Sequence, residues 1–371
     1  MQFGHFSYHI TRAGRSGDAR AIEEALAEAR LAEQLGYDAV WFSEHHFTGE
    51  TVYADPIVFA TAVAMQTRRV KLGFAVLEMA LYHPVRVAEQ LALLDNLSGG
   101  RVIVGIARGS AFNAYEYRGF GTSVQFGREC LDEAEELLIK CWIARDGMEF
   151  HGKYWDVVLP EVRPHPVQQP HPPVLRAAVG PPSVRQMAAQ RRPVLMRSFS
   201  TDSARETVQL YRDGLYEAGC DEAEVRSLLA QCWIWRDCFV ADSDAGARAE
   251  FLPRLTAWLE YVNGIRARWN PPDPDQEVRT PHMPLPAEAY GARPDPAAPE
   301  LFVGSPERVA EQLSQLHELG VGRVMLTHYG ALMEREQRER SMRLLAEQVF
   351  PLFQGAASAA PLPPAVAETA G

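Results

Sequence analysis

Of the five cysteines in this 371-residue chain, Cys130, Cys141, Cys220, Cys232 and Cys238, no two form a CxxC pair. Their count is odd, so neither a disulfide framework nor a zinc spacing is indicated, and they read as reduced, mostly buried thiols. No apolar run approaches the ~18 residues of a membrane span. The opening Met1-Gln2-Phe3-Gly4-His5-Phe6 lacks the basic and apolar segments of a secretion signal, so the expected location is the cytoplasm, away from any membrane. Positive charge is scarce too: 37 Lys and Arg stand against 48 Asp and Glu, a formal charge of −11, which argues against nucleic acid or anionic lipid as a partner. No GxGxxG follows a strand. The stretch Ser98-Gly99-Gly100-Arg101-Val102-Ile103-Val104-Gly105 has neither that spacing nor a GK[ST], which disfavours a dinucleotide or nucleoside triphosphate site.

What remains is an ordinary globular composition, 47% hydrophobic and 23% charged, arranged as alternating strands and amphipathic helices. Strands are expected at Phe3 to Ser7, Ala39 to Ser43, Val70 to Ala75, Val102 to Ala107, Val174 to Ala178, Val194 to Met196, Trp233 to Val240 and Val321 to Leu326. Helical faces are formed by Ile22, Ala25, Leu26, Ala29 and Ala32, by Val87, Ala88, Leu91 and Leu94, and by Leu131, Ala134, Leu138 and Cys141. Pro84 suits a first helical turn and Ser98-Gly99-Gly100 a helix stop. Eight such units predict an α/β fold, a closed (β/α)8 TIM barrel with its active site at the C-terminal ends of the strands; a doubly wound open sheet is the rival. Residues 1–353 read as one barrel domain. Asn263 to Glu300, Pro-rich and without hydrophobic period, reads as a long lid-like insertion, and Gln354 to Gly371 as a loose tail.

The most informative segment is Trp41-Phe42-Ser43-Glu44-His45-His46-Phe47, where an apolar strand ends in a carboxylate and two imidazoles. Strand alternation would send Glu44 and His46 one way and His45 the other unless the strand has already turned. That disfavours a metal site, so no metal is expected, and leaves a titratable base in a cleft ahead of histidines merely bonded to backbone. Arg108-Gly109-Ser110 follows the strand ending Gly105-Ile106-Ala107 and places a guanidinium beside flexible backbone. On the approach to the next helix, Gly127-Arg128 offers a second cation, and together they suit a phosphate.

These residues carry a resemblance. Phe3-Gly4, Glu44-His45-His46-Phe47, His83-Pro84-Val85-Arg86, Leu93-Leu94-Asp95 with Leu97-Ser98, Gly99-Gly100-Arg101, Arg108-Gly109 and Phe120-Gly121-Thr122 resemble, in order, bacterial luciferase α subunits and their flavin-dependent monooxygenase relatives. The likeness returns at Pro173-Val174 and at Val303-Gly304-Ser305-Pro306-Glu307. It implies a (β/α)8 barrel using FMN, delivered as FMNH2 by a separate, transiently bound flavin reductase. The reduced flavin would react with O2 to a C4a-hydroperoxyflavin that oxygenates a small-molecule substrate, in a protein forming homodimers. His45 falls on the family's catalytic histidine, with Glu44 and His46 in supporting positions. Arg108 and Arg128 match the arginines that hold the FMN phosphate, and Ala75 and Val76 match a pair joined by a cis peptide beneath the flavin ring.

The departures are as specific. Ala107 stands where luciferase has a reactive cysteine. The phosphate-contacting Glu-Ser segment becomes Val179-Gly180-Pro181-Pro182-Ser183, where Ser183 alone offers a hydroxyl, and His328-Tyr329 replaces a late acidic position. Neither a long-chain aldehyde substrate nor light emission is implied. Two alternatives stay open: a deazaflavin F420-dependent oxidoreductase on the same barrel, and a non-catalytic luciferase-like subunit. The presence of His45 and Arg108 counts against the latter.

Overall fold

The computed structural model describes residues 1–11, 14–197, 200–271, 301–328 and 333–354. Eight parallel strands close into a barrel: β1 (Gln2–Ser7), β2 (Ala39–Phe42), β3 (Lys71–Phe74), β4 (Val102–Ala107), β5 (Val174–Ala178), β6 (Val194–Arg197), β7 (Trp233–Val240) and β8 (Arg323–Thr327). Each pairs with the next, and β8 returns to β1 in a register running from Gln2 opposite Arg323 to Phe6 opposite Thr327. The open sheet is thereby excluded. All eight expected strands are present, with small shifts at their ends: Ser43, Val70 and Ala75 lie just outside their strands, and β8 starts at Arg323 instead of Val321.

Helices follow the strands, and their ends obey the sequence punctuation. In the helix Pro84–Ser98 the proline occupies the first turn, the His83 ring caps the Val85 N–H, and Gly99 ends the helix at φ 67°, a left-handed value that costs glycine nothing. Ala25, Ala29 and Ala32 are fully buried on the expected face of Gly14–Gln34, with Ile22 and Leu26 packed at its margin. All five cysteines are free and buried.

The barrel interior is filled by aromatic bulk. Trp41 and Trp233 meet edge to face with ring centroids 4.9 Å apart, and Ile103, Leu175, Leu195 and Met325 complete the layer. The neighbouring strands make room for the Trp41 indole by carrying glycine. A Cβ on Gly4 would lie 2.6 Å from that ring and one on Gly73 2.4 Å, distances no packed core accepts.

One sequence expectation changes. Asn263 to Trp269 is not loop: it completes the long helix Asp244–Trp269, whose apolar positions Phe251, Leu255, Trp258, Leu259 and Val262 pack on the barrel. Pro253 inside this helix and the prolines after it masked its period. Residues 272–300 of the lid-like insertion and 355–371 of the tail lie outside the described residues. The antiparallel pair Met148–His151 with Asp156–Leu159 has no counterpart in the sequence reading; each strand is too short for its alternation to register.

The Gly99-Gly100-Arg101 motif has a structural purpose. Arg101 is buried and donates to the carbonyls of Ala64, Thr67, Val70 and Ser98 and to the Thr67 hydroxyl, tying the end of one helix to the start of the next strand. Lysine offers no planar fork to match these acceptors. Arg101→Lys is therefore expected to lower the unfolding free energy by about 3 kcal/mol, as lost charge-assisted bonds leave carbonyls unpaired. Denaturant unfolding measures this, and an unchanged midpoint would remove Arg101 as a clamp.

Candidate active site

The strand β2 stops at Phe42, before the acid and imidazoles arrive. Ser43 Oγ then donates to the Ser7 carbonyl at 3.2 Å and shares a hydrogen bond with Thr51 Oγ1 at 2.9 Å, anchoring the turn to the end of β1. Phe47, at φ 68° and exposed, completes the change of direction. Glu44, His45 and His46 are thus loop residues at the C-terminal mouth, freed from strict alternation.

They split into two linked groups. Glu44 is buried and accepts from His46 Nε2 at 3.0 Å, from the Glu78 backbone N–H at 2.8 Å, and from the Tyr82 hydroxyl. His45 is bracketed by carboxylates, with Nδ1 3.4 Å from Glu116 Oε1 and Nε2 3.7 Å from Glu50 Oε1. Glu116 Oε1 also accepts the His46 backbone N–H at 2.8 Å, so one carboxylate touches both histidines. Tyr8 donates its hydroxyl to Glu50 and sets its ring edge-on to His45. Asn113 Nδ2 lies 3.2 Å from His45 Nδ1.

The electrostatics follow from burial and crowding. Burial pulls the His45 imidazolium down, but Glu50, Glu116 and Glu78 overcome it and push its pKa from 6.5 up to about 10. His45 therefore carries a proton at neutral pH instead of titrating there. Glu78 is held well above the usual carboxylate range, first by burial and then by its neighbours Glu116 and Glu44. His45, Glu78 and Glu116 bring potential ligand atoms within 4.8 Å of one another.

Sequence reasoning missed Glu50, Glu78, Glu116 and Asn113. The signal was there in part: Glu78 and Glu116 are single acids between large apolar neighbours, in Leu77-Glu78-Met79 and Tyr115-Glu116-Tyr117, where a carboxylate must be buried with a reason.

Arg108 is half-buried at the end of β4, and its carbonyl accepts the Tyr117 hydroxyl at 2.8 Å. Gly109, at φ 100°, leaves no room for a side chain: a Cβ there would lie 2.3 Å from Tyr117 Oη and 2.8 Å from Glu78 Oε2. Arg128 is exposed within the helix Val124–Ile143, not on the approach to it. A Cβ on Gly127 would lie 2.9 Å from the Arg108 carbonyl, so the turns bearing the two arginines are packed together, against the acid cluster. Ser183 stands apart, after β5, in the first turn of Pro181–Ala189, and donates to the Gly180 carbonyl at 2.8 Å. The Ala75-Val76 peptide is cis. Both residues are half-buried against the apolar group that includes Phe6, Tyr8, Trp235 and Trp258; the Arg197 guanidinium lies 4.4 Å over the Trp235 ring. His328 is buried behind β8, its Nε2 3.3 Å from the Tyr37 hydroxyl; Tyr329 lies outside the described residues.

A (β/α)8 barrel with acid, base and guanidinium groups gathered from several strand ends is the architecture of an enzyme. The chain belongs to the luciferase-like monooxygenase family, which it matches over residues 1–323, and so to the flavin-dependent monooxygenases, a class of oxidoreductases. It is 23% identical to the oxygenase component of a flavin-dependent trigonelline monooxygenase from Acinetobacter baylyi, over 95% of this chain and 96% of that one. In structure it is similar to monooxygenase RslO1 from Streptomyces bottropensis, with a TM-score of 0.77 and 25% identity over 95% of this chain and 100% of that one. It is also similar to the oxygenating constituent of 3,6-diketocamphane monooxygenase from Pseudomonas putida in complex with FMN, with a TM-score of 0.75 and 21% identity over 95% and 98%. An F420-dependent secondary alcohol dehydrogenase shares the fold at a TM-score of 0.66 and 16% identity, over 94% and 98%. Among the described residues no helix is long and apolar enough to cross a membrane.

Because the folded-state value of His45 lies above its unfolded value, its contribution to stability is fully present below pH 6.5 and is lost as pH rises toward 10. The raised Glu78 acts in the same direction. The thermal midpoint is expected to fall across that window, and to fall less steeply in His45→Gln. Equal slopes in the two proteins would show that the carboxylates do not hold the charge.

Proposed function

We propose that this protein is the oxygenase of a two-component system, which receives reduced FMN from a separate reductase and oxygenates a small organic substrate. The observation that carries the reading is His45, charged between buried Glu50 and Glu116 at the barrel mouth, with the Arg108 turn packed against the same cluster.

The residues present fit FMN. A phosphate needs cations and close backbone, and the turns bearing Arg108 and Arg128, pressed together around Gly109 and Gly127, offer both. The half-buried Ala75 and Val76 would support the ring, in a wall shared with Phe6 and Trp235. When bound, reduced FMN supplies the electrons and the site at which dioxygen is activated. The aromatic wall of Phe6, Tyr8, Trp235 and Trp258 excludes water. His45, as an imidazolium, stabilises negative charge beside it and is placed to give up a proton. Glu44 and His46 fix the loop on which His45 stands, through the Glu78 backbone and Tyr82.

The expected setting is the cytoplasm, with a transient reductase and a second copy of the chain as partners. Exposed Val58 and Met65 on Pro56–Gln66, with Leu93 and Leu97 on Pro84–Ser98, support an apolar contact surface. The fold shared with an F420 enzyme keeps a deazaflavin as the second reading.

Anaerobic titration with FMN, FMNH2 and F420 decides between them: FMNH2 is expected to bind, and binding of F420 alone would overturn the proposal. Rapid NADH oxidation by the purified chain with FMN and no reductase would also count against a two-component system. Arg108→Ala is expected to weaken FMNH2 binding roughly 10- to 150-fold, the worth of a contact of about 1.5 to 3 kcal/mol. His45→Ala should keep the flavin and lose oxygenation by about 10² to 10⁴; full activity in that variant would make His45 structural.

A further inference from the structure

Asn113 has no exposed surface, and its amide faces two different partners. Arg266 Nε lies 2.9 Å from Oδ1. A guanidinium only donates, so the carbonyl end of the amide is fixed toward it. The NH2 end is thereby turned to His45 Nδ1, 3.2 Å away. For that contact to be a hydrogen bond Nδ1 must accept, which leaves the ring proton on Nε2, facing Glu50. Glu116 makes the opposite demand. Its Oε1, 3.4 Å from the same Nδ1, favours a proton there, as do the charges of Glu50 and Glu78, yet an Nδ1–H would meet the Asn113 donors head-on.

We propose that Asn113, locked by Arg266, is a positioning residue that stabilises the neutral, Nε2-protonated form of His45 and so eases transfer of the Nδ1 proton to Glu116. The transfer breaks the Nδ1–H bond and forms an O–H bond on Glu116, turning imidazolium and carboxylate into imidazole and carboxylic acid. The oxygen that receives it is Oε1, the one facing Nδ1, while Oε2 is buried with no hydrogen-bond partner among the described residues, so no donor there holds the group in its charged form. Tyr8 holds Glu50, and Arg266 contributes the remaining charge, from the helix Asp244–Trp269. This rests on the reading of His45 as the proton-holding group of the site, but its test needs neither flavin nor substrate.

The experiment is long-range ¹⁵N–¹H correlation on histidine-labelled protein from pH 6 to 10.5, with His45→Ala assigning the signal. Wild-type protein is expected to show the Nε2–H tautomer above the His45 midpoint. Asn113→Ala should raise that midpoint by about one unit, the worth of one hydrogen bond, and abolish the tautomer preference. Arg266→Gln, which frees the amide to turn, should shift it the same way by less. Asn113→Asp keeps the pairing with Arg266 and presents an acceptor to Nδ1, so it should favour Nδ1–H; circular dichroism confirms that each variant folds. An Nδ1–H tautomer in the wild type, or unchanged midpoint and tautomer in the folded variants, would overturn the proposal. Oxygenation that survives His45→Ala would instead sink the catalytic reading and leave this ring geometry standing.

Discussion

Four carboxylates, Glu44, Glu50, Glu78 and Glu116, are buried at one end of the barrel, and the rest of the site is arranged around that cost. A buried carboxylate without a partner is penalised by several kcal/mol. Each here is answered differently: Glu44 by His46, Tyr82 and a backbone N–H, Glu50 by Tyr8, Glu116 by the His46 N–H and His45, Glu78 by a pKa pushed well above the usual carboxylate range. The charge on His45 is a product of this crowding. A histidine alone in an apolar cleft would lose its proton on burial, and this one keeps it because the barrel delivers acids from three separate loops to the same few ångströms.

The scaffold was legible because periodicity and punctuation are local. Helix faces such as Ala25, Ala29 and Ala32, and stops such as Gly99, are written within a few residues of the feature they specify. The Glu44-His45-His46 run was legible for the same reason. Its partners were not: Glu50, Glu78, Asn113 and Glu116 meet only after strands distant in sequence are set side by side, and no spacing rule links them. Asn263 to Trp269 was misread because prolines nearby outweighed a helical period that depends on the barrel wall for its partner. The titration of His45 was beyond sequence altogether, since an unperturbed imidazole gives no hint of three acids converging on it.

The motifs shared with the family divide by purpose once geometry is known. Gly99-Gly100-Arg101 clamps backbone carbonyls far from any chemistry, and His83-Pro84 starts a helix. Glu44-His45-His46 and Arg108-Gly109 are bound into the polar cluster. Motif density identifies the family, but it does not separate the residues that hold the fold from those that act.

Residue Asn270, at the end of the helix Asp244–Trp269, accepts from the Tyr115 backbone N–H at 3.1 Å and donates to the Phe112 carbonyl at 2.9 Å, while Tyr261 donates to the Thr48 carbonyl at 2.7 Å. These bonds reach back more than 150 residues to the loops on either side of His45. During synthesis the acids and the histidine precede the helix that ties down their loops by more than a hundred residues, and β8 closes the wall later still. A nascent chain must therefore carry the ingredients of the site, with their loops untied, until that helix and β8 have emerged from the ribosome.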